Sequence, residues 1–178
     1  MKVLITGGAG YLGTVLTEEI LKKYPHAKVI VYDNLLYKQD GLFSFFKYSE
    51  DRFEFVYGDV RDHDSLLEQL NKLDKDNDYV IPLAAIVGFP ACERDLNLAN
   101  EVNFEHVKYI TKSTKCRIIY PVSYNHLRAH ETKANFEGRL LLKKKKIKVV
   151  CFQWITILKK EKALKEEYLD QSRMIFYV

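Results

Sequence analysis

The chain has 178 residues, of which 47% are hydrophobic and 29% charged, and its formal net charge is +4. These values are ordinary for a soluble globular domain with a full core, and so mild a charge does not indicate a nucleic-acid-binding face. No apolar run is long enough to span a bilayer and none follows Met1 as in a signal peptide, so we expect a cytoplasmic protein without membrane partners.

The cysteines favour the same setting. Cys92, Cys116 and Cys151 are widely spaced and form no Cys-x-x-Cys pair, which predicts free thiols in a reducing compartment. His126 and His130 have the spacing of two ligands on one helix face, but the nearby sequence offers no third ligand. We therefore predict no metal site.

The first predicted strand, residues 2–6, runs directly into a glycine-rich loop and then into a helical pattern. Gly8, Gly10 and Gly13 fit the dinucleotide fingerprint, and Gly7 gives a second spacing with the last two. A side chain at Gly10 would keep a pyrophosphate away from the backbone, and one at Gly13 would push the helix off the strand. This placement predicts a dinucleotide site.

A helix is predicted over residues 11–24, followed by a strand over residues 28–32 that ends at Asp33. Asp33 lies 20 residues beyond Gly13, where a dinucleotide fold places the carboxylate that accepts hydrogen bonds from the adenosine ribose. A carboxylate there would repel a 2′-phosphate, which favours NAD over NADP. The alternative is that Asp33 only caps a loop.

The pattern then alternates between strands and helices. We predict a short helix over 41–48, a strand over 52–57, a helix capped by Asp62 and ending near 73, a strand over 78–85, a loop over 86–93, a helix over 94–112 and a strand over 116–123. Five strands with helical connections indicate an α/β fold, a Rossmann-like doubly wound parallel sheet with helices on both faces. Ligands of such sheets lie off the carboxyl ends of the strands.

Six short motifs occur in order, at residues 6–13, 32–34, 58–62, 83–85, 102–103 and 120–123. Together they resemble the extended short-chain dehydrogenase/reductases, in the NAD-dependent epimerase/dehydratase group that acts on nucleotide sugars. The resemblance implies transient hydride transfer between a sugar and NAD. It also implies a nucleotide-sugar substrate and a homodimer.

The resemblance assigns roles to individual residues. It implies NAD binding at Gly7, Gly10, Tyr11, Leu12, Gly13, Asp33, Asn34, Asp59, Val60, Leu83, Ala84 and Ala85. Asn103 matches the family's helix asparagine near the active site, and we group it with the cofactor residues. Ser123 matches the catalytic serine or threonine that hydrogen-bonds the sugar. From position alone, Asp59 either meets the adenine amino group or merely ends its strand.

The catalytic Tyr-x-x-x-Lys pair of the family is not found where it is expected. Tyr24 and Lys28 have this spacing, but they lie between the first helix and the second strand, and Pro25 breaks the helix between them. On the family pattern Lys133 takes the role of the catalytic lysine, whereas Ala129 stands in place of the tyrosine. We therefore expect a catalytically incomplete chain, truncated after the fifth strand.

Residues 1–123 are predicted to form an NAD-binding domain, followed by an irregular tail over 124–178. One interpretation treats the tail as a partial continuation with a sixth strand over 147–152. The other treats it as non-native sequence, as a frameshift would produce. Two other functions stay open: a non-catalytic NAD-binding module, and a reductase of a smaller carbonyl substrate.

Overall fold

The computed structural model describes residues 1–123 and 148–152. It contains a sheet of six parallel strands: β1 (Lys2–Thr6), β2 (Lys28–Asp33), β3 (Phe53–Tyr57), β4 (Tyr79–Pro82), β5 (Arg117–Ser123) and β6 (Lys148–Phe152). Their spatial order is β3-β2-β1-β4-β5-β6. The chain therefore winds one way from β1 to β3 and the other way from β4 onward, which confirms the doubly wound Rossmann-like sheet. A strand also occupies the position expected for the sixth.

The strands are connected by helical segments: α1 (Tyr11–Lys23), a 3₁₀ turn (Gly41–Phe45), α2 (His63–Asn71), α3 (Phe89–Arg94), α4 (Leu96–Asn100), a π turn (Glu101–Glu105) and α5 (His106–Ser113). The predicted cap of α2 is confirmed, since the Asp62 carboxylate accepts a hydrogen bond from the Ser65 N–H at 3.1 Å. The helix α2, which begins with this cap, packs Leu66 and Leu70 into the core on one face of the sheet.

The predicted loop over 86–93 is wrong, whereas the helix predicted over 94–112 is confirmed from Leu96 onward, with a π turn within it. A helix already begins at Phe89, and the helical conformation is interrupted at Asp95, which has φ −149° and ψ 91°. The Asp95 carboxylate accepts a hydrogen bond from the Leu98 N–H at 2.9 Å and so caps α4. Short acidic side chains favour such caps over helix interiors, and this local preference overrode the apolar helical period.

The core has one layer on each face of the sheet. Leu4 belongs to a cluster that α2 and α5 cover, whereas its neighbours Val3 and Ile5 belong to a cluster that α1 covers. Successive residues of a strand point to opposite faces, and both faces of β1 are buried. This is why the first strand is almost continuously apolar.

Several predictions lie outside the described residues. They concern Ala129 and Lys133, the histidine pair at His126 and His130, and the rest of the tail over 124–178 apart from β6. The domain boundary at residue 123 stays a prediction.

Candidate functional site

Because the strands are parallel, their carboxyl ends meet at one edge of the sheet, here called the carboxyl edge. Thr6, Asp33 and Pro82 lie there, at the ends of β1, β2 and β4. Ser123 ends β5 at the same edge, paired in register with Phe152 of β6. The sheet therefore brings together strand ends that are far apart in the sequence.

Two glycines of the loop after β1 are required by the protein itself. Gly7 has φ +69°, and a Cβ at this residue would lie 2.4 Å from the backbone nitrogen of Ala84. A Cβ at Gly13 would lie 2.5 Å from Cα of Gly8. The steric demand at Gly13 thus comes from the loop's own backbone, which packs against the first turn of α1.

Gly10 is different, because the part of the chain that the structure describes offers a Cβ there only one neighbour and no severe overlap. Its φ of −67° and ψ of 169° are extended values open to other residues. A Cβ at Gly10 would approach only the Gly7 carbonyl oxygen, at 3.2 Å. Gly10 precedes α1, whose first turn has no acidic residue and no side-chain cap. The loop therefore leaves a cradle for an anion at the positive end of a helix, as a pyrophosphate requires.

Asp33 joins the glycine loop to the end of β2. Its side chain is buried, with Oδ2 accepting a hydrogen bond from the Ala9 N–H at 2.9 Å and Oδ1 accepting one from the Leu35 N–H at 2.7 Å. An ionised carboxylate accepts about four hydrogen bonds. Asp33 therefore keeps capacity for ribose hydroxyls while it holds the loop in place.

Asp59 lies beside Asn34, after β3. Its Oδ2 accepts hydrogen bonds from the Asn34 amide at 3.1 Å and from the Arg61 guanidinium at 2.8 Å. The hydrogen bonds from Arg61 lower the pKa of Asp59 to about 2, so the carboxylate is anionic at neutral pH. Val60 is buried in the core, so a ligand here would meet its backbone.

The loop after β4 is held from two sides. The Leu83 N–H donates to the Thr6 carbonyl at 2.8 Å, and the Asn103 side chain grips Ile86. Asn103 Oδ1 accepts from the Ile86 N–H at 2.8 Å, while its Nδ2 donates to the Ile86 carbonyl at 3.0 Å. The structure thus places Asn103 as a clamp on this backbone; its direct contact with a cofactor stays a prediction.

The fourth strand is shorter than predicted. It ends at Pro82, so Ala84 and Ala85 lie in the loop and not in the strand. At this point the Gly7 backbone lies close against the Ala84 backbone, a contact between residues that are far apart in the sequence. Both alanines remain partly exposed, as close passage of a ribose or pyrophosphate requires.

The remaining predicted residues fall at different places. Tyr11 starts α1 and is 67% exposed, and Leu12 beside it is half-buried. Lys133 lies outside the described residues. Tyr24 and Lys28 lie at the opposite edge of the sheet, where Lys28 begins β2 and its Nζ is 2.6 Å from Oε2 of Glu54. They are remote from the glycine loop, in keeping with their rejection as a catalytic pair.

Sequence reasoning missed Arg61 and a buried pair, Thr6 and His106. Oγ1 of Thr6 and Nε2 of His106 are 3.2 Å apart, and the imidazole is 1% exposed. Burial lowers the pKa of His106 to about 4, so the ring is neutral at neutral pH. The two residues are 100 positions apart, and the local sequence around each of them does not predict the contact. Arg61, only two residues after Asp59, was within reach of the sequence argument.

Two absences concern only the part of the chain that the structure describes. None of its helices combines the length and apolar character needed to cross a membrane. Within residues 1–123 and 148–152, no cluster of three or more histidine, cysteine, aspartate or glutamate residues is arranged to hold a metal ion.

Comparisons with known proteins agree with this geometry. The sequence model of the NAD dependent epimerase/dehydratase family matches residues 3–127. A CDP-paratose 2-epimerase from Salmonella typhi is 30% identical over 125 residues, which cover 67% of this chain and 36% of that protein. A dTDP-D-glucose 4,6-dehydratase from Dictyostelium discoideum is 39% identical over 84 residues, covering 47% of this chain and 19% of that protein.

A similar fold occurs in a solved structure of dTDP-glucose 4,6-dehydratase from Streptomyces venezuelae with NAD bound. The TM-score is 0.66 at 19% identity, and the match covers 85% of this chain and 54% of that one. The chain therefore spans about half of this structure, and the matched segments are about a third or less of the two curated relatives.

Proposed function

The chain belongs to the NAD-dependent epimerase/dehydratase family, and on that premise we propose that it forms the NAD-binding part of a nucleotide-sugar epimerase or dehydratase. NAD is the cofactor on which the family depends, which confirms the cofactor predicted from the sequence. The sugar and the reaction type are parts of the proposal.

The observation that carries the proposal is the contrast within the glycine loop. Gly7 and Gly13 are explained by severe overlaps inside the protein, whereas a Cβ at Gly10 would make a single tight contact with the described residues, 3.2 Å from the Gly7 carbonyl oxygen. A glycine without such an overlap, placed before an uncapped helix N-terminus, fits a ligand that approaches the backbone. An anionic pyrophosphate is the chemical group that matches this cradle.

The other residues extend the same site along the carboxyl edge. Asp33 would accept hydrogen bonds from the adenosine ribose, and the adenine would lie near Asp59 and Val60. The loop at residues 83–85 would border the remaining ribose and pyrophosphate. When bound, NAD supplies a hydride acceptor that takes a hydride from a sugar carbon and returns it.

We assign the sugar-directed roles by family pattern. Ser123, whose backbone lies at the carboxyl edge, would hydrogen-bond the sugar hydroxyl or carbonyl. Lys133 would act as the lysine that supports the proton-transferring group. Such chemistry also needs a group to accept and return the proton, and Ala129 stands where the family has its tyrosine.

A second candidate function is a non-catalytic NAD-binding module. It is favoured by the position of Tyr24 and Lys28 at the edge of the sheet away from the glycine loop. A reductase of a smaller carbonyl compound would need the same missing proton donor, so no feature of the site favours it.

Titration calorimetry with NAD tests cofactor binding. We expect Gly10→Val to abolish NAD binding and to leave the melting temperature within a few degrees of the wild type, because its Cβ meets little protein. Gly13→Ala is the matched variant: it should lower the melting temperature, because its Cβ overlaps Gly8. Normal NAD binding by Gly10→Val would remove the loop from the site.

A turnover assay can reject the second candidate function, the non-catalytic module. The purified full chain, supplied with NAD and a panel of CDP-, UDP- and dTDP-sugars, should bind cofactor and convert little or no sugar. Robust epimerase or dehydratase turnover would mean that another group supplies the proton, and would reject the non-catalytic module.

A cytoplasmic location and pairing into a homodimer are further parts of the proposal. Cys92 and Cys116 are free thiols, which agrees with the reducing environment of the cytoplasm.

A further inference from the structure

The π turn at Glu101–Glu105 is connected to two of the strand ends that form the proposed cofactor site. Asn103 within the turn clamps Ile86 in the loop after β4. His106, the residue that follows the turn, contacts Thr6 at the end of β1. π turns are rare and occur preferentially at functional sites, so the cause of this one bears on the site.

His106 itself stabilises the π turn. Its backbone N–H donates to the carbonyl of Glu101, five residues back, instead of four as in an α-helix. The ring atom Nδ1 lies 2.5 Å from the carbonyl oxygen of Val102, four residues back. The side chain therefore takes the place that the backbone N–H of His106 would fill in an α-helix.

The hydrogen bond to Val102 also determines what the other ring nitrogen does. A carbonyl only accepts, so Nδ1 carries the hydrogen of the neutral ring and Nε2 is left as the acceptor. Nε2 faces the Thr6 hydroxyl, which therefore donates to it over 3.2 Å. Thr6 and His106 are 0% and 1% exposed, so no water replaces this bond.

Thr6 stands at the junction of two loops of the site. It directly precedes Gly7, and its carbonyl accepts the Leu83 N–H at 2.8 Å. A shift of Thr6 would move the glycine loop, and a loss of the π turn would displace the Asn103 clamp on Ile86. Both displacements would follow from a loss of the hydrogen bonds that the His106 imidazole makes.

We infer that His106 is a positioning residue, which locks the π turn and so holds the glycine loop and the loop after β4 in the arrangement that a dinucleotide requires. The inference rests on the proposed function for the identity of the ligand. His106 itself does not belong to the ligand-contacting set, because it is buried beneath the carboxyl edge.

Amide hydrogen exchange and NAD affinity of the full chain test this inference together. Thr6→Val removes the hydroxyl, and His106→Phe keeps a ring but removes both side-chain hydrogen bonds. Thr17→Val is the matched control, because Thr17 is also buried and its hydroxyl has no hydrogen-bond partner in the part of the chain that the structure describes.

We expect both test variants to speed exchange at the Gly7 amide about tenfold and to weaken NAD binding about tenfold, as the loss of one buried hydrogen bond does. His106→Phe, which also removes the bond to Val102, should in addition speed exchange at the Ile86 amide. The control variant should change none of these. If His106→Phe does not fold, Thr6→Val carries the test. Exchange rates in Thr6→Val equal to those of the control would overturn the inference.

The ring itself gives a second readout that simple packing would not produce. In the wild type, ¹⁵N NMR should show a protonated Nδ1 and an unprotonated Nε2 on His106, with the Nε2 resonance moving in Thr6→Val. A protonated Nε2 would contradict the inference, because this nitrogen could then not accept the hydrogen bond from Thr6. The exchange and tautomer results do not require NAD, so a wild-type chain that fails to bind NAD would reject the proposed function while leaving this inference open to its own test.

Discussion

Asp33 and Asp78 are two buried aspartates at opposite edges of one sheet, and they make nearly the same bonds. Each carboxylate accepts two backbone N–H groups. Asp33 holds Ala9 and Leu35 at 2.9 and 2.7 Å, whereas Asp78 holds Lys2 and Asp74 at 2.5 and 2.8 Å. Geometry alone does not distinguish their roles.

Their positions on the sheet do distinguish them. Asp33 ends β2 at the carboxyl edge and bonds the glycine loop, whereas Asp78 precedes β4 at the other edge and bonds the start of β1. At the carboxyl edge, the glycine loop that Asp33 bonds precedes the N-terminus of α1, which has no side-chain cap. The same chemical arrangement is therefore a structural clamp in one place and, on the proposed function, a clamp that also binds the cofactor in the other.

The largest expected effect is that of replacing Asp78, which lies at the edge opposite the carboxyl edge. Asp78→Ala leaves the buried N–H groups of Lys2 and Asp74 without their charged acceptor, which should lower the free energy of unfolding by about 3 kcal/mol. Urea denaturation measures this loss. NAD affinity of the folded protein should stay within twofold of the wild type; a large loss of affinity would mean that the two edges are coupled.

Asp33→Asn should act mainly on cofactor choice. Removing the charge reduces the repulsion of a 2′-phosphate, so the preference for NAD over NADP should fall about tenfold, or about 1.4 kcal/mol. Stability should fall less than in Asp78→Ala, because the amide oxygen still accepts one hydrogen bond. Calorimetry with both cofactors checks this, with Asp78→Asn as the control. Equal affinities for NAD and NADP in the wild type would remove the role given to Asp33.

The smallest expected effect is the acid titration of Asp59. Its folded-state pKa of about 2 lies below the ordinary value of 3.8, so its contribution to stability is full above about pH 4 and is lost as the pH falls toward 2. Arg61→Gln removes the main hydrogen bonds that lower this pKa, so the folded-state carboxyl should titrate at a higher pH, nearer its ordinary value, and should contribute less to stability.

A ¹³C NMR titration of the aspartate carboxyls would follow this change. Asp74 provides the control within the same spectrum, because its pKa is lowered chiefly by the backbone N–H groups of Asp76 and Asn77. It should titrate alike in the wild type and in Arg61→Gln. An Asp59 titration that does not move in the variant would show that Arg61 is not the cause of the lowered pKa.

Predictions from the sequence succeeded where the physical cause is local. The apolar strand at residues 2–6, the cap at Asp62 and the glycine spacing each reflect neighbours within a few positions, and each is found in the structure. The predicted loop over 86–93 was wrong, because a helix already begins at Phe89, and the helix predicted from residue 94 begins two residues later. The helical period spans the segment, but Asp95 breaks the helix and caps the next one.

The sequence by itself determined the alternation of strands and helices and the family, and it predicted the dinucleotide site at the glycine loop, since these follow from periodicity and from short motifs. Only the tertiary structure decided that Asn103 clamps Ile86 and that His106 bonds Thr6. The physical reason is that these side-chain hydrogen bonds join residues as far as 100 positions apart in the sequence. Their partners are selected by the fold, and neither partner carries a local signal of the other.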